Sequence, residues 1–587
     1  MESTHPLQSA IQLHRAGNLA AAEPFYREAV RRHPDHAQAL SLLGALLCQR
    51  RRFGEGASIL ARALCVDPTL AEAHCNLGSA LQDLGRPEEA LASFGRAVAL
   101  RPGFAQALFN MGQTHKALGR VEGAIDCYRR AIEAAPGYTD AHFSLGNALV
   151  QARRLDEAVA CFEQALRLDP GRADAHNNLG IALQESDRTA EAIEHYDAAI
   201  RWRSGFDAAM YNKAQALRQI RKLEEAAHWF RECLEVNPAH RDAYYNLGNT
   251  YKDLLRFEDA IGHYRNALAL DPGNGDVRWN LALACLATGR LAEGWQEYES
   301  GLSSGKRPFV DPGCPRWDGS PLGGKTVWVR AEQGFGDTLQ FVRYLPFVKG
   351  RGGRVVLECQ KGLGRLLERC VGADLVVERP SPLREGERPE LAVPLLSLPG
   401  IFGTTLETIP AVVPYLQPDP RLREEWAQRL VPHPGLRVGL VWAGSPAHAN
   451  DASRSCTLDQ LAPLARVEGV TFFSLQKGPA GEQVSSPPEG MRIADLGPDL
   501  ADFADTAAAA ANLDLVVTAD TAVAHLAGAL GRPVWVFLSL IPDWRWLLDR
   551  ADSPWYPTLR LFRQKAGGDW GPVFEEMALA LSARVQP

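Results

Sequence analysis

Several things are missing from this chain, and each absence removes a class of function. No two of its eleven cysteines form a Cys-x-x-Cys pair, and none stands beside histidine at zinc-ligand spacing. Reduced, mostly buried thiols are therefore expected, not a disulfide framework or a zinc module. There is no excess of positive charge. Lys and Arg number 63 against 70 Asp and Glu, a net charge of -7, which argues against nucleic acid as the main partner. The opening stretch MESTHPLQSAIQLHRAG has no apolar core of the kind a signal peptide needs. The most apolar region, 504–541, is broken by Asp505, Asp514, Asp520, His525, Arg532 and Pro533. It reads as buried sheet and not as a membrane span. No paired-carboxylate motif suited to holding a metal is present, so none is expected. The remaining composition, 46% apolar and 23% charged over 587 residues, is that of ordinary globular domains, and the expected location is cytoplasmic.

What is present first is a strict period. Proline stands at 34, 68, 102, 136, 170, 238 and 272, and Ser204 fills the gap. A second comb runs in phase: Gly44, Gly78, Gly112, Gly146, Gly180, Ala214, Gly248 and Ala282. The step of 34 residues predicts stacked helix-turn-helix units. In the unit 71–104, two helical stretches flank Gly85-Arg86, small residues recur at Gly78, Ala90 and Ala97, and Phe94 supplies a large ring. Pro102 ends the second helix because it lacks an amide donor and clashes with the preceding turn. Eight full units and a shorter ninth cover 3–303. This pattern resembles the tetratricopeptide repeat family, which implies an α solenoid.

One column needs more than packing. Asn76, Asn110, Ser144, Asn178, Asn212, Asn246 and Asn280 lie two places before the comb of small residues. In the resembled family the first helix of each unit lines a concave face, so these amides would form a ladder there. An amide both donates to and accepts from a peptide backbone. Asn76, Asn110, Asn178, Asn212, Asn246 and Asn280 are therefore candidate client-binding residues for an extended polypeptide. The alternative is that they tie neighbouring helices together or cap local backbone. The rings one place earlier, Phe109, Phe143, Tyr211, Tyr245 and Trp279, read as inter-helix packing.

Beyond a Gly-, Pro- and Ser-rich linker, 304–324, the texture changes to short apolar runs alternating with helical segments. Strands are predicted at Thr326–Arg330, Arg354–Glu358, Asp374–Val377, Arg437–Trp442, Thr471–Leu475, Leu513–Thr518 and Pro533–Leu538. The alternation implies parallel sheets with covered faces. A proline-punctuated break from Pro410 to Pro434 separates two lobes, 325–417 and 418–587, with ligands expected at the carboxyl ends of their strands.

Three loops at such ends carry chemistry-bearing residues. The first, Ala331 to Asp337, contains Gly334 and Gly336, which would let backbone turn toward a ligand. Its Asp337 stands at the helix start, facing such a ligand or simply capping the helix. The second follows Trp442 and carries Asn450, Asp451 and Arg454, of which the arginine suits a phosphate. In the third, a strand runs into Asp520-Thr521 and a short helix carrying His525; a helix amino end with a hydroxyl suits an anion. The bland alternatives are a capping Asp520 and a core His525.

Together, GDTLQFVRYLP and, two hundred residues later, TADTAVAHLAGALGRPVWV resemble the heptosyltransferase-type glycosyltransferases over roughly 325–565. That resemblance implies a two-lobed GT-B fold with two Rossmann-like lobes and metal-independent, inverting transfer from a nucleotide sugar. It assigns the base to Asp337 and donor binding to Gly334, Gly336, Arg454, Asp520, Thr521, Ala522 and His525. No cofactor is implied; the nucleotide sugar is a co-substrate. The sequence departs from the family at Ala522, usually glycine, at Arg454, usually lysine, and in LSLIPDWRWLLDR after the final predicted strand. Repeats joined to such a domain also resemble, in architecture, the protein O-glycosyltransferases. The expected function is transfer of a sugar to a Ser or Thr hydroxyl of a client protein in the repeat groove; bacterial flagellins are one client class for enzymes of this layout. The competing expectations are a repeat adaptor with a degenerate GT-B half, and transfer to a glycan or lipid-linked acceptor.

Overall fold

The computed structural model describes residues 6–310, 313–380, 389–448 and 450–585. The expected start of the repeats at residue 3 lies outside them. The chain divides into two compact units between Ala243 and Tyr244. The division falls well before 303, so the last repeats share a compact unit with the α/β part.

In the first unit, helix pairs run from Pro6–Arg15 to Leu223–Val236. The repeat at Ala71–Asp83 and Pro87–Leu100 shows why they form. Gly85 turns the chain at φ +72°, a conformation that carries no side-chain penalty for glycine alone. Pro87 opens the second helix, where its missing N–H is no loss. The comb of glycines is a steric requirement. A Cβ at Gly78, Gly112, Gly146 or Gly180 would lie 2.6 Å from the ring of Phe94, Tyr128, Phe162 or Tyr196 respectively. Each ring is thus seated on the glycine of its own repeat. The second unit repeats the device at Gly248 under Tyr264, again 2.6 Å. The ring stripe also packs. Phe109, Phe143 and Tyr211 lie 5.7, 5.9 and 5.8 Å, centroid to centroid, from Tyr128, Phe162 and Phe230.

The second unit contains the final repeat helices, Phe257–Leu270, Gly275–Ala287 and Leu291–Tyr298, and two parallel sheets. The first sheet comprises β1 (Thr326–Arg330), β2 (Arg354–Cys359), β3 (Leu375–Glu378) and β4 (Leu391–Pro394), in the order β3-β2-β1-β4. The second comprises β5 (Leu436–Val441), β6 (Val470–Ser474), β7 (Ile493–Asp495), β8 (Leu515–Ala519), β9 (Val534–Leu538) and β10 (Leu559–Arg563), in the order β10-β9-β8-β5-β6-β7. Counted within each sheet, this is the doubly wound order, six strands in the second and the first four in the other. The strand order reverses between β1 and β4, and between β5 and β8. All five residues of β8 and of β9 are buried, which explains the near-continuous apolar run there. No helix among the described residues is long and apolar enough to cross a membrane.

The sequence pattern anticipates seven strands and misses β4, β7 and β10. Two of these are short, of four and three residues, and β10 is an edge strand with Arg560 on its exposed side. The segment read as a linker is packed. Arg307 is fully buried, donating to Glu332 (2.6 Å), Glu299 (3.0 Å) and Ser397 (3.0 Å), and Trp317 is buried as well. This fastens the chain between the last repeat and the first sheet.

Candidate functional site

The first and third loops meet. Beyond β1 the chain turns at Gly334 into the helix Phe335–Phe341, and beyond β8 it turns at Thr521 into the helix Ala522–Ala529. These two helices touch at Gly336: a Cβ there would lie 2.8 Å from His525 Cδ2 and 3.6 Å from the Cα of Ala522. Gly336 therefore serves a close helix approach instead of turning backbone toward a ligand. Gly334, by contrast, is exposed, and its N–H donates to Asp337 Oδ2 at 2.9 Å.

Asp337 has two jobs. One carboxylate oxygen caps its own helix, and the other accepts a charge-assisted hydrogen bond from Arg545. Its side chain retains 17% exposure. Burial raises the carboxyl above its usual range against the pull of Arg545, and Asp543 adds to the rise. Arg545 belongs to the short helical turn Trp544–Trp546, which Asp543 caps. Asp543 accepts from the Arg545 backbone N–H at 3.0 Å and from its guanidinium at 2.7 Å. The guanidinium lies over the Trp544 indole, 4.2 Å from its centroid.

Thr521 Oγ1 accepts from the Val523 N–H at 3.3 Å and meets the Thr518 hydroxyl at 3.1 Å, so the cap is held from below. Ala522 is the first helical residue, at the same approach point as Gly336. Arg454 donates to the Asp520 carbonyl at 2.9 Å, and its buried Nε makes no hydrogen bond but lies 3.5 Å from Asp451 Oδ1 as an ion pair. Its loop is fixed from beneath: the Gln476 side-chain carbonyl accepts from the Trp442 and Ala443 N–H groups at 3.0 and 2.9 Å. Asp451 accepts from Ser455, and Asn450 precedes the short helix Asp451–Arg454. The Asp520 carboxyl is pushed up to about 7 by burial and then by Asp543. The second loop thus joins the first and third through the Asp520 carbonyl.

His525 is placed differently from a phosphate ligand. It is 5% exposed, stacked on Trp546 at 5.1 Å, with Nδ1 sharing a 3.0 Å hydrogen bond with the Tyr556 hydroxyl. Burial, then Arg545 and Arg343, hold it well below its usual pKa, so it is neutral. It acts as the floor on which the two helices meet.

Sequence reasoning missed Arg545, Asp543 and Arg343. Arg343 is buried among carbonyls and phenols: it donates to the carbonyls of Trp555 (2.7 Å) and Gln340 (2.7 Å) and to the Tyr415 hydroxyl (2.8 Å). It ties the helix after β1 to the segment before β10. The available signal for Arg545 was an arginine between two tryptophans, two residues after Asp543. A separate cavity of about 600 Å³ lies by Trp295, Glu299, Arg316 and Ser397, and includes none of the predicted site residues.

Among the client-binding candidates, the amides bond largely to one another. Asn178 donates to Asn147 at 2.7 Å, Asn177 to Asn178 at 3.0 Å, and Asn212 to Asn177 at 2.9 Å. Asn110 donates to Ser79 at 3.2 Å, and in the second unit Asn280 donates to the Tyr245 hydroxyl at 2.9 Å. Except for the Asn177–Asn178 bond within one helix, these bonds cross from one repeat to the next. Asn76, Asn110, Asn178, Asn212, Asn246 and Asn280 are all half-buried.

Tetratricopeptide repeat models match residues 8–71, 75–139, 143–209, 208–240, 242–274 and 275–294. Tetratricopeptide repeats thus run through the amino-terminal three hundred residues, and they imply protein partners. Protein FlbA of Caulobacter vibrioides is 32% identical over 325 residues, which is 51% of this chain and 54% of FlbA. The chain therefore matches about half the length of that relative. Among solved structures, YrrB, a TPR protein with an unusual peptide-binding site, is 24% identical (TM-score 0.30), covering 32% of this chain and 97% of YrrB. PilF of Pseudomonas aeruginosa is 22% identical (TM-score 0.31), covering 34% of this chain and 92% of PilF.

Proposed function

We propose that the chain is a glycosyltransferase that moves a sugar from a nucleotide-sugar donor to a Ser or Thr hydroxyl of a protein recruited by the repeats. The observation that carries this reading is the meeting of two loops: Gly336, one residue before Asp337 beyond the carboxyl end of β1, packs against Ala522 and His525 beyond the carboxyl end of β8. Both strands lie at points where strand order reverses, where open α/β sheets bind ligands. We read the two sheets as the lobes of a GT-B arrangement.

In this mechanism Asp337 takes the proton from the client hydroxyl as its oxygen attacks the anomeric carbon. The bond from that carbon to the diphosphate oxygen breaks, and the configuration inverts. A carboxyl raised by burial is a better base than an exposed one, and general-base help contributes about 10²–10⁴ in rate. Arg454, and the amides at the start of the helix capped by Thr521, receive the negative charge that develops on the leaving group. The amides of the repeats are half-buried, and in this reading their remaining donors and acceptors hold an extended client.

A second reading, a repeat adaptor with an inactive α/β half, is favoured by one observation: the Asp337 carboxylate is already occupied by Arg545 and Gly334. Intact-mass measurement of client proteins, with and without this protein and a panel of nucleotide sugars, separates the two. A sugar mass on a client supports transfer. Nucleotide binding without product supports the adaptor, and product on a glycan or lipid overturns the protein acceptor.

A further inference from the structure

Arg545 sits between two carboxylates that differ in how they are attached to it. Asp543 is two residues away, caps the turn that carries Arg545, and shares one oxygen between the backbone N–H and the guanidinium. Wherever Arg545 goes, Asp543 goes with it. Asp337 belongs to the other sheet, 208 residues earlier, and is held to Arg545 by a single charge-assisted contact. Of the two, Asp337 is the partner that can be exchanged.

The turn itself is fastened on both sides of Arg545. Trp544 packs edge-on against Trp295 at 5.3 Å, from the last repeat helix pair, and contacts Tyr298 at 6.2 Å. Trp546 is fully buried, stacks on His525, and its carbonyl accepts from Arg563 at 2.7 Å. Directly after it, Leu547 has φ 53° and ψ -172°, and Asp549 has φ 52°, backbone that residues with a Cβ rarely adopt. Anchored neighbours and a strained exit hold the Arg545 backbone in place. In the second loop Arg454 reaches the Asp520 carbonyl at 2.9 Å, and its Nε is ion-paired with Asp451 at 3.5 Å.

We infer that Arg545 is a shared cation: the diphosphate of the donor competes with Asp337 for its guanidinium, and by taking it over releases Asp337 to act as base. The inference rests on the transferase reading of this same site and names its regulation. The base is masked by an ion pair, and the donor itself removes the mask. Deprotonating a hydroxyl is thus reserved for the complex in which a sugar is waiting, which disfavours wasteful hydrolysis.

The test is a titration of the full chain with inorganic pyrophosphate by calorimetry. Asp337→Asn removes the competitor, so this variant binds pyrophosphate about tenfold more tightly than the parent, the order expected for one lost charge-assisted contact. Arg545→Gln binds at least about tenfold more weakly, and Arg545→Lys, kept in case the glutamine variant does not fold, falls between. Equal or weaker binding by Asp337→Asn overturns the competition, as does the absence of pyrophosphate binding in every variant. Sugar transfer by the parent protein is scored separately. Transfer without tightening in Asp337→Asn sinks the shared cation alone. Tightening without any transfer by the parent sinks the transferase reading alone.

Discussion

Gly334 and Gly336 stand two residues apart in one loop and look equivalent in sequence, yet alanine at the two positions has different expected effects. At 336 a Cβ would approach His525 Cδ2 to 2.8 Å, whereas carbon atoms pack at about 3.5–4.0 Å. The imidazole cannot yield, because Trp546 stacks on it and Tyr556 holds Nδ1. The helices Phe335–Phe341 and Ala522–Ala529 must therefore separate by roughly 0.7 Å or more. Overpacking of this kind costs about 1–3 kcal/mol, and the higher helix propensity of alanine offsets about 1. The expected net is a loss of about 0–2 kcal/mol in denaturant unfolding. The displacement also moves Asp337, one residue on, and misplacement near 1 Å can cost about 10²-fold in rate. At 334 the nearest atom is Asp337 Oδ2 at 3.2 Å, the position is exposed, and φ is -69°. Gly334→Ala should unfold within about 0.5 kcal/mol of the parent. Paired denaturation curves and client-transfer rates decide the matter. If Gly336→Ala matches Gly334→Ala in both, the close-approach account of Gly336 is wrong.

Three further predictions follow from named contacts. Asp520, with its folded-state carboxyl raised from 3.8 to about 7, contributes stability that is present below the unfolded value and lost as pH rises through about 7. Asp520→Asn should accordingly gain stability over the parent on going from pH 5 to pH 8, by at most about 3 kcal/mol; a difference independent of pH refutes the assignment. Glu332→Gln breaks the buried pair with Arg307, whose side chains are 1% and 0% exposed, and should cost about 3–5 kcal/mol in unfolding of the second unit; a near-neutral result would remove the pair from the account of how the 304–324 segment is fastened. Asn178→Ala with Asn212→Ala cuts the bonds to Asn147 and Asn177 and should lower repeat stability by about 1–3 kcal/mol while also weakening client binding; unchanged binding in a folded double variant would leave these amides a purely structural role.

The repeats were legible almost residue by residue, because each comb of small residues answers a contact inside one repeat. Gly78 and Phe94 are sixteen positions apart and meet through a local helix hairpin, so the chain spells out the packing in its own period. Seven strands were legible for a related reason: buried parallel strands must be apolar throughout. The short β4 and β7 left too few residues to make a pattern, and in β10 Arg560 and Arg563 interrupt the apolar run. The amide column was visible too, but whether it would bond outward to a ligand or sideways to the next repeat depends on side-chain directions that a period does not carry.

The site divides in the same way. The amino-acid sequence alone determined that Asp337, Arg454 and the Asp520–Ala522 turn stand in loops beyond predicted strands, since each loop follows an apolar run. Only tertiary structure decided that Gly336 is a packing glycine, that His525 is a buried floor, and that Arg545 closes on Asp337. These three depend on contacts across 189, 31 and 208 residues of chain, between elements whose meeting is set by how the two sheets come together. Local periodicity records what a segment needs to bury; it does not record which distant segment will cover it or which charge it will find there.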